Sequence, residues 1–270
     1  MAVCYLERSV LITGASSGIG AACAERLAHT GWHVFAGVRA EGAAPPGTTE
    51  MLLDVTDAAA IAEAARAVGD RLDGLVDNAG IALAAPLEHL PLNELRRQFE
   101  VNVVGQLAVI QALLPAIRAA RGRVVLIGSI AGTSALPFLG PYAISKFGLE
   151  ALADALRVEL APDGIQVSIV RPGTIATPIW SKPQPIADTL GAEALERYGS
   201  RLEALRAFAA ARAANAAPVE SVAKVVEQAL TARRPRARYL VGRDARIRAL
   251  VERLPDRLRD RVVARALLRD

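Results

Sequence analysis

The segment TGASSGIG, Thr13–Gly20, decides the fold because it joins an apolar strand to a helix through small residues. The apolar run Ser9–Thr13 leads into it, and apolar residues follow at helical spacing over Ala21–Ala28. Glycines allow a tight turn and let the backbone approach a pyrophosphate, which rests on the N-terminus of the following helix. The segment therefore predicts a dinucleotide site. Its spacing is GxxxGxG and not GxGxxG, and an ordinary strand-to-helix turn is the plainer alternative.

The rest of the chain alternates short apolar runs with longer segments of helical periodicity. Strands separated by helices imply right-handed crossovers and a parallel sheet, and strands this apolar are covered on both faces. We therefore predict an α/β fold with a doubly wound, Rossmann-like parallel sheet, as one domain over 1–270, with the ligand beyond the carboxyl ends of the strands. The further predicted strands are His33–Gly37, Met51–Leu53, Gly74–Val76, Arg123–Ile127, Ile165–Val170 and Arg238–Val241.

Composition excludes several classes of protein. The two cysteines, Cys4 and Cys23, do not form a CxxC pattern and have only three histidines to help them, so we predict no metal site. Reduced thiols suit a cytoplasmic protein. Glu7 and Arg8 interrupt the N-terminus, which does not resemble a secretory signal. No uninterrupted apolar run approaches the ~18 residues that span a bilayer.

Charge is concentrated at the C-terminal end. From Arg233 to Asp270 there are thirteen arginines against five acidic residues, a net charge of +8, so the preceding 232 residues carry −4. The basic character thus belongs to a tail, and we predict no nucleic-acid partner. We expect the tail, 243–270, to be helical and its apolar stripes to be buried against the body or a second subunit; contact with acidic lipid is the alternative. The stripes are Ile247, Leu250, Val251 and Leu254, then Leu258, Val262 and Val263.

The strongest catalytic signal is Tyr142-Ala-Ile-Ser-Lys146, because residues four apart on a helix share one face. Ser129 follows the apolar strand Arg123–Ile127, at the edge where ligands bind, and Asn102 lies in a long helical segment beginning near Leu92. A ketone that accepts hydride needs a proton, and a phenol can supply it. We expect Lys146 to favour the phenolate and to lower the pKa of Tyr142. Each residue alone would have a plainer structural interpretation.

Together these motifs resemble the short-chain dehydrogenase/reductase family, in order and spacing, from Ser9 to about Thr177. The glycine loop matches TGxxxGxG, and Pro172-Gly173-Thr174-Ile175-Ala176-Thr177 resembles PGxxxT. Asp77-Asn78-Ala79-Gly80 resembles the family's Asn-Asn-Ala-Gly, with Asp77 as a departure whose burial would favour protonation. The residues that the resemblance assigns to cofactor binding are Gly14, Ser16, Ser17, Gly18, Ile19, Gly20, Asp54, Val55, Asn78, Ala79, Gly80, Tyr142, Lys146, Pro172, Gly173, Ile175 and Thr177.

The resemblance also implies a catalytic tetrad, Asn102, Ser129, Tyr142 and Lys146. Tyr142 would act as general acid/base, and Lys146 would hold the nicotinamide ribose. Ser129 would donate a hydrogen bond to the substrate oxygen. Asn102 would hold a water that links Lys146 to solvent.

Cofactor preference is predicted from the end of the second strand. Val38 stands where NAD-preferring relatives carry an acid, and Arg39 follows it. A guanidinium can bind a 2′-phosphate, so we predict NADP and consider NAD the less favoured cofactor. The alternative is that Arg39 is an ordinary surface charge.

The segment 178–217 occupies the family's substrate-lid position. Its apolar residues Ile179, Trp180, Leu190, Leu195 and Phe208 form either a lid or the packing face of ordinary helices. The apolar stretch Pro137–Leu139 flanks Tyr142 and suits a lipophilic alcohol or ketone. The motif around Tyr142 is most similar to those of hydroxysteroid and retinol dehydrogenases, and the family implies a homo-oligomer.

Two other functions are open. A non-catalytic cofactor sensor on the same fold should have lost Tyr142 or Lys146, and both are present. A sugar-nucleotide-modifying relative would be longer and have a differently spaced glycine loop.

Overall fold

The protein was analysed as a computed structural model that describes residues 8–179 and 191–267. Its centre is a seven-stranded, all-parallel sheet in the order β3-β2-β1-β4-β5-β6-β7. The fold is the predicted α/β, Rossmann-like arrangement. The strands are β1 Ser9–Thr13, β2 His33–Val38, β3 Thr49–Leu52, β4 Gly74–Asp77, β5 Arg123–Ile127, β6 Gln166–Pro172 and β7 Arg238–Val241.

Helices cover both faces of the sheet, as a doubly wound fold requires. Successive residues of β1 face opposite layers: Leu11 packs with α2, α4 and α5, while Val10 and Ile12 pack with α1 and α7. The helices in the described ranges are α1 Gly18–His29, α2 Ala58–Val68, α3 Leu92–Phe99, α4 Gly105–Ala120, α5 Gly140–Glu159, α6 Ala192–Ala213, α7 Val219–Thr231, α8 Arg243–Val251 and α9 Asp256–Leu267.

Strand positions predicted from the sequence agree closely, and β1, β5 and β7 agree residue for residue. The third strand is displaced: it begins at Thr49 and ends at Leu52, not at Leu53. β3 is an edge strand in which only Met51 is buried, so a search for apolar residues misses its exposed Thr49 and Glu50.

A single helical segment runs over Leu92–Ala120, because a π-helical turn, Glu100–Val104, joins α3 to α4. It is 29 residues long and contains an 18-residue window with a mean hydropathy of 1.6, which is sufficient by length and composition to cross a membrane, although no uninterrupted apolar run in it is that long. Val109 and Leu113 on this segment are buried against the sheet. Core helices of globular proteins share this composition, so length and hydropathy alone do not place it in a membrane.

The basic tail forms α8 and α9, and four residues of its apolar stripes are not buried against the body of the chain, while their burial against a second subunit stays a prediction. Ile247 and Leu250 are 50% and 62% exposed, and Leu258 and Val262 are also exposed. The buried position of α8 is Ala245. Polar contacts of Asp244 and Arg248 with the rest of the protein hold this helix in place. These contacts, and not the apolar stripe, determine which face of the helix is buried.

Candidate active site

The candidate site lies at the carboxyl ends of the strands, around the neighbouring strands β1 and β4. Strand order reverses there: β2 and β3 lie on one side of β1, and β4 to β7 on the other. Open parallel sheets bind ligands at this switch point, because the two following loops diverge and leave a crevice.

The glycine loop has the geometry that a dinucleotide needs. Gly14 and Gly18 have φ angles of +66° and +58°, which favour glycine. A Cβ on Gly20 would lie 2.3 Å from the Gly14 carbonyl oxygen, so the helix packs closely on the loop. Ser17, at the N-cap of α1, makes no side-chain capping bond. The first N–H groups of α1 are therefore available to an anion such as a pyrophosphate.

A cleft of about 450 Å³ opens above this loop. Arg39, at the end of β2, lines the cleft and is exposed. The other predicted cofactor residues in its wall are Gly14, Ser16, Ser17, Gly18, Ile19, Asp54, Val55, Asn78, Ala79, Gly80 and Thr177. The wall also contains Val38 and Ile179, which the sequence analysis named for cofactor preference and for the lid. The residues of the wall that it did not predict are Leu53, Thr56, Ile81, Arg97, Glu100, Val101 and Pro178.

Six predicted cofactor residues lie outside the wall of the cleft: Tyr142 and Lys146, which are described below, and four residues that have other contacts. Gly20 packs beneath the loop. Pro172 pairs with Val241 in the sheet, and Ile175 packs in the core layer beside α1 and α7. A Cβ on Gly173 would lie 2.1 Å from a carboxylate oxygen of Asp244, so this glycine admits a side chain of the tail.

Thr13 and Asn78 bind the glycine loop to the end of β4. Thr13 Oγ1 accepts the backbone N–H groups of Asn78 and Ala79, both at 2.9 Å. Asn78 Nδ2 donates to the carbonyl oxygens of Thr13 and Gly14 at 2.9 and 3.1 Å. Thr13 was not predicted as a site residue, although its place in the TGxxxGxG pattern was available as a signal.

Asp77 is the departure from the family motif, and it is completely buried. Its Oδ1 accepts the Thr13 hydroxyl at 2.9 Å, and no hydrogen-bond partner of Oδ2 lies within the described ranges. Burial raises the pKa of Asp77 to about 8, and the Thr13 bond and the Lys146 charge only partly oppose this. The expected direction is confirmed: burial favours the protonated, uncharged form of this carboxyl.

Tyr142 and Ser129 meet at the carboxyl edge of β5. Ser129 caps a short 3₁₀ turn, where its Oγ accepts the Ala131 N–H at 3.1 Å, and it forms a side-chain hydrogen bond with Tyr142. Burial raises the pKa of Tyr142 to about 12, opposed by the Ser129 bond and by the charge of Arg248. The expected lowering of this pKa by Lys146 is therefore wrong for this structure. Desolvation of the phenolate is the larger effect, and the cation that opposes it is Arg248.

Lys146 lies one turn after Tyr142 on α5 and is buried. Its Nζ donates to the Ile127 carbonyl oxygen at 2.9 Å and lies 5.8 Å from the centre of the Tyr142 ring. Burial lowers the pKa of Lys146 to about 8, while the charges of Asp77 and Glu150 raise it. Lys146 is therefore a core group near its own titration point, not a surface lysine.

Asn102 lies within the π-helical turn and is fully buried. Its amide donates to the Ile81 carbonyl oxygen and to Ser145 Oγ, both at 2.9 Å, and its Oδ1 accepts the Ile81 N–H at 2.8 Å. The π turn thus directs this side chain at the loop after β4 and at α5, not back at its own helix, which was the plainer alternative. Its assignment to a water beside Lys146 remains a prediction.

The loop after β6 approaches the glycine loop from the opposite side. A Cβ on Gly18 would lie 3.4 Å from Thr177 Cγ2, so the two motifs form facing walls of one cleft. Asp244 of α8 accepts the N–H and the hydroxyl of Thr174, both at 2.8 Å. The tail therefore stabilises the loop after β6 through Asp244, and no sequence motif predicted this contact.

The predicted lid is described only in part, since Trp180 and Leu190 lie outside the described residues. Ile179 packs against Tyr142, as a residue over the active site should. Leu195 is 50% exposed, and Phe208 packs under the guanidinium of Arg212 at 4.7 Å. The buried face of α6 is formed by Ala194, Leu202 and Leu205, so Leu195 does not belong to a packing face, and the lid stays a prediction.

Comparison with known proteins identifies the family. Residues 8–185 match the family described as short chain dehydrogenase. The chain belongs to the short-chain dehydrogenase/reductase family. It is therefore an NAD(P)-dependent oxidoreductase that acts on CH–OH groups, and small molecules are its substrates.

Two relatives and one solved structure can be aligned with most of this short-chain dehydrogenase. An NADPH-dependent 3-dehydrocapnine reductase of Ornithobacterium rhinotracheale is 36% identical over 94% of this chain and 95% of its own. Retinol dehydrogenase 5 of Mus musculus is 37% identical over 94% of this chain and 87% of its own. A short chain dehydrogenase from Burkholderia cenocepacia J2315, solved in complex with NADP, has a TM-score of 0.75, 26% identity, and coverage of 97% of this chain and 98% of its own.

Proposed function

We propose that this protein is an NADP(H)-dependent oxidoreductase that interconverts a secondary alcohol and a ketone on a hydrophobic small molecule. The observation that carries the proposal is the buried Tyr142 hydroxyl, hydrogen-bonded to Ser129, with Lys146 one helical turn away. These groups lie beside a cleft whose wall fits a dinucleotide.

In this proposal Tyr142 exchanges the proton. With its pKa raised to about 12, Tyr142 is a neutral acid at physiological pH, ready to protonate an oxygen that gains negative charge. Ser129 Oγ, which accepts the Ala131 N–H, would donate its proton to the substrate oxygen when substrate is bound. Lys146 and Asn102 would hold the ribose and a proton-carrying water, respectively.

The cofactor would be held by the glycine loop, by Asn78–Gly80 and by Thr177 on the opposite wall. When bound, it supplies or accepts the hydride. Hydrogen bonds between Asn78 and Thr13 hold the glycine loop and the loop after β4 together before binding, so little reorganisation of these two loops is needed.

Several observations support NADP as the preferred form. Arg39 is exposed in the cleft, and Val38 supplies no carboxylate against a 2′-phosphate. The charge of Arg39 is among the causes that lower the pKa of Asp54, after two hydrogen bonds from Thr56, which supports a position of Arg39 near Asp54 in the cleft. One relative is NADPH-dependent, and one similar structure contains NADP.

A lipophilic substrate is supported by the surroundings of Tyr142. Ala82, Ala131 and Ile179 pack around its ring, so the reacting carbon would enter an apolar site. A retinol dehydrogenase is among the relatives.

The test is NADPH consumption by purified protein with a panel of lipophilic ketones, and NADP⁺ reduction with the matching alcohols. NADH and NAD⁺ are assayed in parallel. We expect turnover with at least one pair, faster with NADPH. Tight NADPH binding without turnover of any panel member would favour the alternative, a cofactor sensor.

We also propose a homo-oligomer, supported by an exposed apolar face where the Leu92–Ala120 segment packs on α5. Leu92, Val104, Ile144 and Phe147 on this face are 62%, 42%, 43% and 46% exposed. Light scattering after size exclusion should show a smaller species for Ile144→Glu. Leu52→Glu, on the sheet edge, is the matched control and should leave the mass of the wild type.

For location, we propose a cytoplasmic enzyme whose tail docks on its own body. Contacts of Asp244 and Arg248 with the active-site loops support docking, and burial raises the pKa of the Cys23 thiol to about 12, which keeps it unreactive. The exposed residues of the apolar stripes favour the alternative, a peripheral contact with anionic lipid. Salt-sensitive co-sedimentation with anionic vesicles that is lost on removing 243–270 would establish that alternative.

A further inference from the structure

A cation of the C-terminal tail lies at the candidate active site. Arg248 of α8 donates from Nη2 to the Ser134 carbonyl oxygen at 2.6 Å, and its Nε lies 3.3 Å from Ser134 Oγ. Ser134 is buried in the loop that follows Ser129. The charge of Arg248 lowers the pKa of Tyr142, so its guanidinium is within electrostatic reach of the phenol.

A second guanidinium faces the first. Arg212 of α6 packs over the Phe208 ring at 4.7 Å, and its Nη1 lies 3.8 Å from a carboxylate oxygen of Asp244. Like charges repel, and the charge of Arg212 is one of the causes, after burial, that lower the pKa of Arg248 to about 10. Two helices that are far apart in sequence thus bring two cations together.

The acids facing this pair are already engaged. Asp244 accepts both hydrogen bonds from Thr174, and Glu252 pairs with Arg259 at 3.6 Å. Arg248 itself forms no ion pair with any residue of 8–179 or 191–267, and its Nη1 has no hydrogen bond there. Within the described ranges the hydrogen bonds of Arg248 go to Ser134, and the charges of Asp244 and Glu252 act on it without forming an ion pair. A partly buried guanidinium of this kind, near another guanidinium, is stabilised by an added anion.

We propose that Arg248, supported by Arg212, binds an oxyanionic group of the substrate, of the carboxylate or sulfonate class, close to the carbon on which Tyr142 acts. The substrate would then be an amphiphile with an apolar part over Tyr142 and an anionic part at the tail. This inference rests on the proposed function. It gives α8 a role in specificity, since the tail would contact the substrate directly.

The test is calorimetric titration of the NADP⁺-saturated protein with octane-1-sulfonate and with octan-1-ol, at constant ionic strength. We expect wild type to bind the sulfonate more tightly than the alcohol. Arg248→Gln should weaken sulfonate binding by about 10- to 100-fold, the range for losing a hydrogen bond to a charged group, and leave alcohol binding unchanged. Arg246→Gln, which removes an exposed charge from the same helix, is the matched control and should bind as wild type.

Equal affinity of wild type for the two probes, or equal affinities of Arg248→Gln and Arg246→Gln for the sulfonate, would overturn the inference. If Arg248→Gln does not fold, Arg212→Gln is titrated instead. It should bind the sulfonate more weakly than Arg246→Gln does, and no difference would count against the anion site.

Because binding needs no turnover, the two proposals fail separately. Arg248-dependent sulfonate binding by a protein that reduces no ketone would contradict only the proposed function. Reduction of uncharged ketones without sulfonate binding would contradict only the anion site.

Discussion

The cofactor region, 8–179, and the C-terminal region, 191–267, contribute to the same site in different ways. In the first, most residues of the cofactor cleft follow a strand end within a short motif, such as Thr13–Gly20 or Asp77–Gly80. In the second, isolated side chains of two helices, Arg212 and Arg248, reach the site. Chemistry common to a family is encoded locally, whereas groups that select the substrate come from distant helices whose sequence shows no motif.

The largest expected effect concerns the centre of the cofactor region. Tyr142→Phe should fold and bind NADPH as wild type but lose turnover by at least ~10²-fold, because it removes the exchangeable proton. Steady-state rates on a confirmed substrate and a fluorescence titration of NADPH measure the two properties. A rate near that of wild type would remove Tyr142 from the proposed chemistry.

A second prediction concerns Asp77, where the cofactor region departs from its family. Because the folded-state pKa is about 8, the unfolded chain loses this proton at lower pH, and wild type loses stability as pH rises from about 4 through about 8. Asp77→Asn does not titrate, so its advantage should grow over that window to a few kcal/mol. Chemical denaturation at pH 5 and pH 8 measures this. An advantage that is the same at both pH values would show that Asp77 does not titrate there.

A third prediction tests cofactor preference. Arg39→Ala should weaken NADPH binding by ~1.5–3 kcal/mol, the range for a charge-assisted hydrogen bond, and leave NADH nearly unchanged. Paired titrations with both cofactors give the comparison. Equal weakening of the two would mean that Arg39 does not contact the 2′-phosphate.

A fourth prediction tests the junction of the two regions. In Gly173→Ala the new Cβ displaces the Asp244 carboxylate, so the Thr174 bonds are lost and we expect a destabilisation of ~1–3 kcal/mol. Denaturant unfolding measures it. Gly191→Ala, where the added carbon meets no neighbouring atom within 4 Å in the described chain, is the control.

The smallest effect on stability is expected for the last helix, α9. Removing 256–270 takes away α9, whose described side chains are mostly exposed, so stability should change by less than ~1 kcal/mol. Removing 243–270 also takes away Asp244 and Arg248 and should cost more. Equal losses in the two truncations would show that α9, and not α8, attaches the tail.

The sequence by itself predicted the alternating fold, most strand positions and the glycine loop, because glycine geometry and strand periodicity are local properties. Most other predicted residues of the cofactor cleft were implied by the family resemblance, and several residues of its wall were not predicted. It also predicted that Asp77 would be protonated, since burial of β4 follows from its apolar neighbours. To predict these features, it is sufficient to know which strand precedes a residue in the sequence.

Tertiary structure decided what depends on the sum of distant contacts. It raised the pKa of Tyr142 where the neighbouring lysine alone suggested a decrease, because desolvation depends on everything packed around the ring. It exposed Ile247 and Leu250 of the tail, because the contacts of Asp244 and Arg248 with two loops set the orientation of α8. Arg248 meets Ser134, 114 positions away in the chain, and no local pattern encodes such a contact.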